Sequence, residues 1–369
     1  MLRRLGSFGV VVLVLAGCWG LPSFPPPVTG VQASAAVSTV SLSWTNPPSD
    51  FWGVRVYRAE GSTPPTGPGA GEGPGSYLAD VGDRTSFTDT GLSPGTTYSY
   101  AVIVYGADGY YSTPATITIA VGTRYHLALG DSLAFGTGAA AGQGYVPRIT
   151  AAQAARVPGL KLRNVSCSGA TTTSMIVGGG CTYPEGNQVA AAEAFLLAHP
   201  GKVSFITINI GSNDVSGCVS AAGVDAACAT ARIPTVQTNL GQILTRLHAA
   251  APGVPIVGMT YYNPFLAYWV VGNQAAATSS NTGAVTFNNA LTSTYAAGTA
   301  LVAPVATAFG TENTALTGTY NGGAVPQNVA NICAWTRMCT DSDSHANSTG
   351  HQLIATTFEP VINAAVPAG

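Results

Sequence analysis

Four residues whose types together could carry out acyl transfer are spread along the chain: Ser132, Gly169, Asn213 and His345. That chemistry needs a nucleophile, a base, an orienter for the base and donors for a developing oxyanion. The nucleophile candidate lies in Leu127–Gly136, reading LALGDSLAFG. Leu127, Ala128 and Leu129 end an apolar run that suits a buried strand. Gly130 and Asp131 break the run, and Ser132 follows at the strand's end. Ligands in open α/β sheets bind just outside the carboxyl ends of strands. A serine there has its hydroxyl held by rigid backbone and open to a crevice, where a nearby base can activate it. The same serine would also suit the N-cap of a strand-to-helix turn. The downstream residues favour the chemical reading.

His345 is the best base. It sits in a polar stretch, SDSHANSTG, with Asp341 and Asp343 close by. The other histidines read as structural: His126 precedes a strand, His199 and His248 lie at helix ends, and His351 opens the last helix. The backbone N–H groups of Ser132 and Gly169 and the side-chain amide of Asn213 are the oxyanion donors.

The elements that must position these groups follow from the hydrophobic pattern. After Ser132, strands over 160–165, 203–210, 254–259 and 300–305 alternate with helices over 143–155, 187–198, 234–250, 285–297 and 349–365. Such alternation predicts a parallel sheet covered on both faces. Right-handed crossovers put every strand's carboxyl end on one edge. Ser132, Gly169 and Asn213 each follow a strand, so they should meet there.

The first third of the chain has a different texture. Thr39–Trp44 (TVSLSW), Gly53–Arg58, Tyr98–Tyr105 and Thr116–Val121 alternate as short strands, which indicates a β-sandwich. Gly61–Gly75, rich in glycine and proline, reads as an exposed loop. Residues 28–122 resemble a fibronectin type III domain through Trp44 and the stretch GLSPGTTYSYAV, Gly91–Val102. That resemblance makes Trp44 core and has Tyr98 bond back to the preceding turn. Trp52, Tyr110 and Tyr111 read as core or turn residues, with carbohydrate contact as the alternative.

The amino terminus reads as a targeting segment. Arg3 and Arg4 precede an apolar run, Phe8–Ala16, too short to span a bilayer. It ends in Leu15-Ala16-Gly17-Cys18, which resembles a bacterial lipobox. Residues 1–17 would then be removed and Cys18 lipidated, with residues 18–27 as a proline-rich linker. Acyl chains on Cys18 would anchor the protein to a membrane. An ordinary signal peptide is the alternative.

Composition excludes other classes. Only 8% of the 369 residues are charged, against roughly 25% in typical soluble proteins. No basic run follows Arg3-Arg4, so nucleic acid is not an expected partner. Six cysteines follow Cys18: Cys167, Cys181, Cys218, Cys228, Cys333 and Cys339. In an exported chain they read as disulfides, with no CxxC pair to suggest a metal. Pairing neighbours in sequence gives Cys167–Cys181, Cys218–Cys228 and Cys333–Cys339.

Residues 123–369 resemble the GDSL, or SGNH, hydrolase family. The match lies in Gly130-Asp131-Ser132-Leu133, Gly169, Gly211-Ser212-Asn213-Asp214 and His345, in the family's order. Thr260–Trp269 (TYYNPFLAYW) and Cys333–Cys339 (CAWTRMC) further resemble secreted actinobacterial esterases of that family. The resemblance implies a flavodoxin-like three-layer α/β/α domain and ester hydrolysis without metal or cofactor. It departs at one position. The family places an aspartate three residues before the histidine, where this chain has Ser342, between Asp341 and Asp343. The related secreted esterases favour Asp343 as the acid; Asp341, or a backbone carbonyl in place of either, stays open.

The expected function is cleavage of carboxylic esters through an acyl-enzyme on Ser132. Deacetylation of a polysaccharide bound by the β domain is the enzymatic alternative. A surface adhesion protein that uses the fold only to bind is the non-catalytic one. The lipobox reading has its own test. Cys18→Ser should abolish lipid attachment, read by mass spectrometry of the mature amino terminus and by membrane fractionation. A wild-type protein that is soluble and begins elsewhere would refute it.

Overall fold

The computed structural model describes residues 24–48, 51–68 and 76–367. Cys18 and the targeting segment lie outside these residues, and the glycine- and proline-rich stretch is described only as far as Pro68. The chain forms two compact units, the second starting at Val121 and taking in Leu92–Thr96.

In the first unit, β1 (Thr29–Ala35), β2 (Thr39–Thr45), β3 (Gly53–Glu60), β4 (Ser76–Gly82), β5 (Ser86–Thr90), β6 (Thr97–Tyr105) and β7 (Ala115–Ala120) form two sheets. Their orders are β1-β2-β5 and β4-β3-β6-β7. In β2, Val40, Leu42 and Trp44 point inward while Ser41 and Ser43 face water, the period of a half-buried strand. Asp89 is buried, and its carboxylate accepts hydrogen bonds from Arg58 and from the Tyr100 hydroxyl. Of the aromatics expected in the core or at turns, Trp52 sits at a bend and Tyr110 at the end of a turn. Trp52 is 70% exposed and Tyr110 is 40% exposed, so neither is core. Tyr111 is half-buried, its hydroxyl accepting from Arg55.

The second unit is α/β. Along the chain come β8 (Arg124–Gly130), α1 (Ser132–Phe135), α2 (Tyr145–Gln153), β9 (Leu160–Asn164), α3 (Thr172–Val177), α4 (Gln188–Ala198), β10 (Val203–Asn209) and α5 (Ser212–Val215). A two-strand hairpin follows, β11 (Val219–Ser220) with β12 (Gly223–Val224), then α6 (Ala226–Ala250), β13 (Ile256–Met259), α7 (Gln274–Ala297), β14 (Leu301–Ala303) and α8 (Val305–Ala308). A second hairpin, β15 (Gly318–Tyr320) with β16 (Gly323–Val325), leads to α9 (Gln327–Trp335), β17 (Thr336–Arg337), α10 (Met338–Asp341), β18 (Asp343–Ala346) and α11 (Ser348–Ala365).

The main sheet has the order β14-β13-β10-β8-β9, parallel throughout. This is the flavodoxin-like order, whose direction of winding reverses between β8 and β10. Helices α2 and α11 pack together, as do α4, α6 and α7 in a second group. The sheet between them is apolar: Leu127, Leu129, Phe205, Ile206, Ile208 and Val257 are essentially inaccessible. No helix among the described residues is long and apolar enough to cross a membrane.

Two helices start earlier than their hydrophobic pattern predicts. Helix α6 begins at Ala226 rather than 234, because Asp225 caps it by accepting the Cys228 N–H. Pro234, a residue favoured in first turns, lies inside it. Helix α7 begins at Gln274 rather than 285, capped by Asn273 on the Ala276 N–H. Its polar first half hides the helical period.

His126 is also displaced from expectation. It lies within β8, fully buried and stacked on Phe205. Thr150 spends its hydroxyl proton on the Val146 carbonyl, so it accepts from His126 Nδ1 at 2.8 Å. Nε2 then accepts from Thr207 at 2.7 Å. Burial drives the His126 pKa down to about 3. The unfolded chain takes up this proton near pH 6.5, the folded chain only near 3, so stability falls as pH drops between them. The slope is up to about 1.4 kcal/mol per pH unit. Urea unfolding of wild type and His126→Asn from pH 7.5 to 4.5 should show their stability difference narrowing on acidification. A pH-independent difference would mean that folded His126 protonates normally.

Candidate active site

Ser132 opens α1, and Asp131 caps it, its carboxylate accepting the Leu133 N–H at 2.9 Å. Asp131 is buried, with no cation on it among the described residues. Three further donors reach it: Asn209 Nδ2 at 2.6 Å, the Tyr261 hydroxyl at 2.9 Å and Ser212 Oγ at 3.2 Å. Burial pushes its pKa up, and the four hydrogen bonds oppose that without cancelling it. Tyr145 donates to Asn209 Oδ1 at 2.8 Å, which fixes the amide's orientation. Gly130, just before, has φ +147°, and a Cβ there would strike the Asn209 side chain, so glycine is required. The Gln188 amide accepts from the Gly130 N–H and donates to its C=O, acting as a strand neighbour.

Ser132 Oγ lies 2.8 Å from His345 Nε2, and His345 Nδ1 lies 2.5 Å from Asp343 Oδ1. An ionised carboxylate only accepts, so Nδ1 carries the proton and Nε2 is free to accept from the serine. Asp343 and His345 are two apart on β18, and residues so spaced share a face of a strand. The same Asp343 oxygen also accepts the His345 N–H. Partial burial would raise the Asp343 pKa, but the hydrogen bonds from His345 and the nearby Arg337 charge outweigh it and hold it low. Asp341 is turned away on α10, paired with Arg337. Ser342 separates the two aspartates in a left-handed turn, φ +54°. Arg337, opposite Asp343 across the β17/β18 pair, also approaches its second oxygen at 3.5 Å.

Gly169 and Asn213 line the same cavity as Ser132 and His345. Asn213 Nδ2 donates one proton to the Ala170 carbonyl at 2.9 Å, leaving the other free. Gly169 has φ +80°, and its missing Cβ would meet open space, so the glycine serves the turn. Asp214 accepts from the Thr172 N–H and hydroxyl and so ties this loop to α5. Its carboxyl is raised by burial despite those bonds. All three expected disulfides form, Cys167–Cys181, Cys218–Cys228 and Cys333–Cys339.

The remaining histidines have other partners. His199 stacks on Phe195, and His248 meets the Gly298 carbonyl. His351 accepts the Tyr145 N–H and donates to the Thr137 carbonyl. Asn209, Tyr261, Gln188 and Arg337 were not singled out from sequence. A polar residue ending the apolar strand VSFITIN was a usable signal for Asn209 alone.

The fold and this cluster define a three-layer α/β hydrolase. Residues 128–353 match the GDSL-like lipase/acylhydrolase family, and the chain belongs to it. Residues 26–118 match the fibronectin type III domain. Among solved structures, the chain is similar to the lipase Lip_vut3 from a goat rumen metagenome. The two are 17% identical with TM-score 0.47, over 64% of this chain and 97% of that one. It is similar to phospholipase A1 from Streptomyces albidoflavus NA297 at 19% identity and TM-score 0.40, over 66% and 100% of the two chains. The extracellular lipase from Streptomyces rimosus is 21% identical with TM-score 0.42, over 66% and 100%. No curated protein shows significant similarity to the chain.

The buried carboxylate yields a stability prediction. Tyr261→Phe removes one of four donors and should cost about 1.5–3 kcal/mol, the range for hydrogen bonds to charged groups. Urea unfolding reads it directly. A loss below about 0.5 kcal/mol would mean that Asp131 does not depend on this hydroxyl.

Proposed function

We propose that the protein is a serine carboxylic ester hydrolase that works through an acyl-enzyme on Ser132. The hydrogen-bonded series Ser132–His345–Asp343 opening on a cavity carries this reading. His345 Nε2 takes the Ser132 proton as Oγ attacks the ester carbonyl. Asp343 holds the tautomer and stabilises the imidazolium that forms. The Ser132 and Gly169 N–H groups and the Asn213 amide are the donors for the oxyanion, each worth about 10²–10³ in rate. His345 then returns the proton to the leaving alcohol, and water clears the acyl group by the same route.

Three disulfides fit an exported protein, and we read Cys18 as its lipid anchor. Exposed Trp52 and Tyr110 on the first unit favour one second reading, hydrolysis of acetyl groups on a polysaccharide that this unit contacts.

Ser132→Ala should abolish ester turnover and labelling by a fluorophosphonate probe, with circular dichroism unchanged. Asp343→Asn should lower kcat/KM well over tenfold, and Asp341→Asn far less. The reverse ranking would make Asp341 the acid; labelling at Ser166 or Ser168 would move the nucleophile.

A further inference from the structure

The first unit carries bare aromatic side chains at one end of its sandwich. Phe24 is 63% exposed, Trp52 70% and Tyr110 40%. They come from three segments: the stretch before β1, the connection from β2 to β3, and the connection from β6 to β7. The strand registers bring these segments to the same end. Thr29, at the start of β1, pairs with Thr45 at the end of β2, and Gly53, opening β3, pairs with Tyr105 at the end of β6. Backbone hydrogen bonds close the cluster. The Trp52 N–H donates to the Tyr105 carbonyl at 2.8 Å, and the Gly106 N–H to the Tyr110 carbonyl at 3.0 Å. The Phe24 and Tyr110 rings meet edge to face, their centroids 5.2 Å apart. Pro26, Pro27 and Pro48 add exposed apolar residues in the same segments. The chain leaves the sandwich from the opposite end, at Ala120, which pairs with Thr97.

Left in water, these rings forgo the burial that drives apolar side chains inside. A cluster of them marks a surface that meets another molecule or a membrane. A sugar chain and a bilayer both take aromatic partners, and two observations favour the bilayer. A sugar ring stacks on a flat aromatic face, but Phe24 and Tyr110 are inclined at 67° and form a wedge. A wedge of phenylalanine, tryptophan and tyrosine suits the membrane–water interface, where amphipathic rings lie at headgroup level. The second observation is position in the chain. Cys18 is six residues before Phe24. Six extended residues span about 20 Å, so an acylated Cys18 keeps this end of the sandwich close to the bilayer. A tether this short gives an effective concentration of about millimolar, at which even a weak contact forms.

Resting on the reading of Cys18 as a lipid anchor, we propose that Phe24, Trp52 and Tyr110 dock the first unit on the headgroup layer of the bilayer. The acyl chains hold the protein at the membrane, and the rings fix which end of the sandwich faces the lipid. Exposed Asp108 lies in the same turn as Tyr110, so the surface gains nothing from anionic lipid and takes a zwitterionic bilayer.

The test couples the mature chain, residues 18–369, through the Cys18 thiol to a maleimide lipid in phosphatidylcholine vesicles. The other cysteines are held in disulfides. Coupling makes the tether independent of processing in the cell. In a Trp19→Phe background, brominated acyl chains should quench about a quarter of the tryptophan emission, the share of Trp52 among the four that remain. Trp52→Phe should abolish that loss. Phe24→Ser leaves Trp52 in place and should cut the loss by about half or more. These side chains are exposed, so circular dichroism and turnover of a soluble ester should not change. Equal emission in brominated and ordinary vesicles would overturn the proposal, as would a loss that survives Trp52→Phe. A Trp52 response to soluble arabinoxylan in place of lipid would give the surface to a glycan. Wild-type protein without lipid on Cys18, read by mass spectrometry, would sink the anchor alone, because the coupled chain still reports on the rings.

Discussion

One buried carboxylate organises the second unit. Asp131 sits just after β8, paired with no cation among the described residues, in a place where an unpaired charge costs several kcal/mol. Its four donors come from α1, β10, α5 and the segment after β13. Satisfying them fixes the carboxyl ends of three neighbouring strands relative to one another. Ser132 is the next residue, so its hydroxyl is placed by the same constraint. The ordering continues outward. Asn209 needs Tyr145 for its own oxygen, and the Tyr145 N–H is taken by His351. His351 lies on α11, six residues after His345. Ser132 and His345 are therefore joined both directly across the cavity and through the protein behind it.

The strand order gives this network its location. Winding reverses between β8 and β10, so the connections leaving those two strands diverge and open a crevice. Ser132 follows the first strand and Asn213 the second. The disulfides then stiffen the loops around that crevice. Cys167 lies two residues before Gly169, Cys218 five after Asn213, and Cys339 four before Asp343. Cross-links that close loops of this size are worth up to about 3 kcal/mol. Each one falls on a segment that brings a group to the site.

The amino-terminal unit shows where alternation in sequence is a good guide and where it stops. TVSLSW reads as a half-buried strand and is one. The strands Thr29–Ala35, Ser76–Gly82 and Ser86–Thr90 escape such reading, because their side chains are mostly exposed or half-exposed and show little contrast. The buried Asp89, held by Arg58 and Tyr100, is likewise invisible until the two sheets are packed.

Features that depend on local pattern were legible in the chain. Apolar runs and helical periods specified a covered parallel sheet. Ser132, Gly169 and Asn213, expected together because each follows a strand, line one cavity with His345, and neighbouring cysteines paired as expected. Tertiary structure decided the rest. Asp341 and Asp343 have nearly equal claims by distance along the chain. They are separated only because the turn at Ser342 leaves one on a helix facing Arg337 and the other on a strand beside His345. Gln188, Asn209 and Tyr261 act on partners 52 to 130 residues away. Such hydrogen bonds depend on three-dimensional approach, and nothing in the local pattern of residues encodes them.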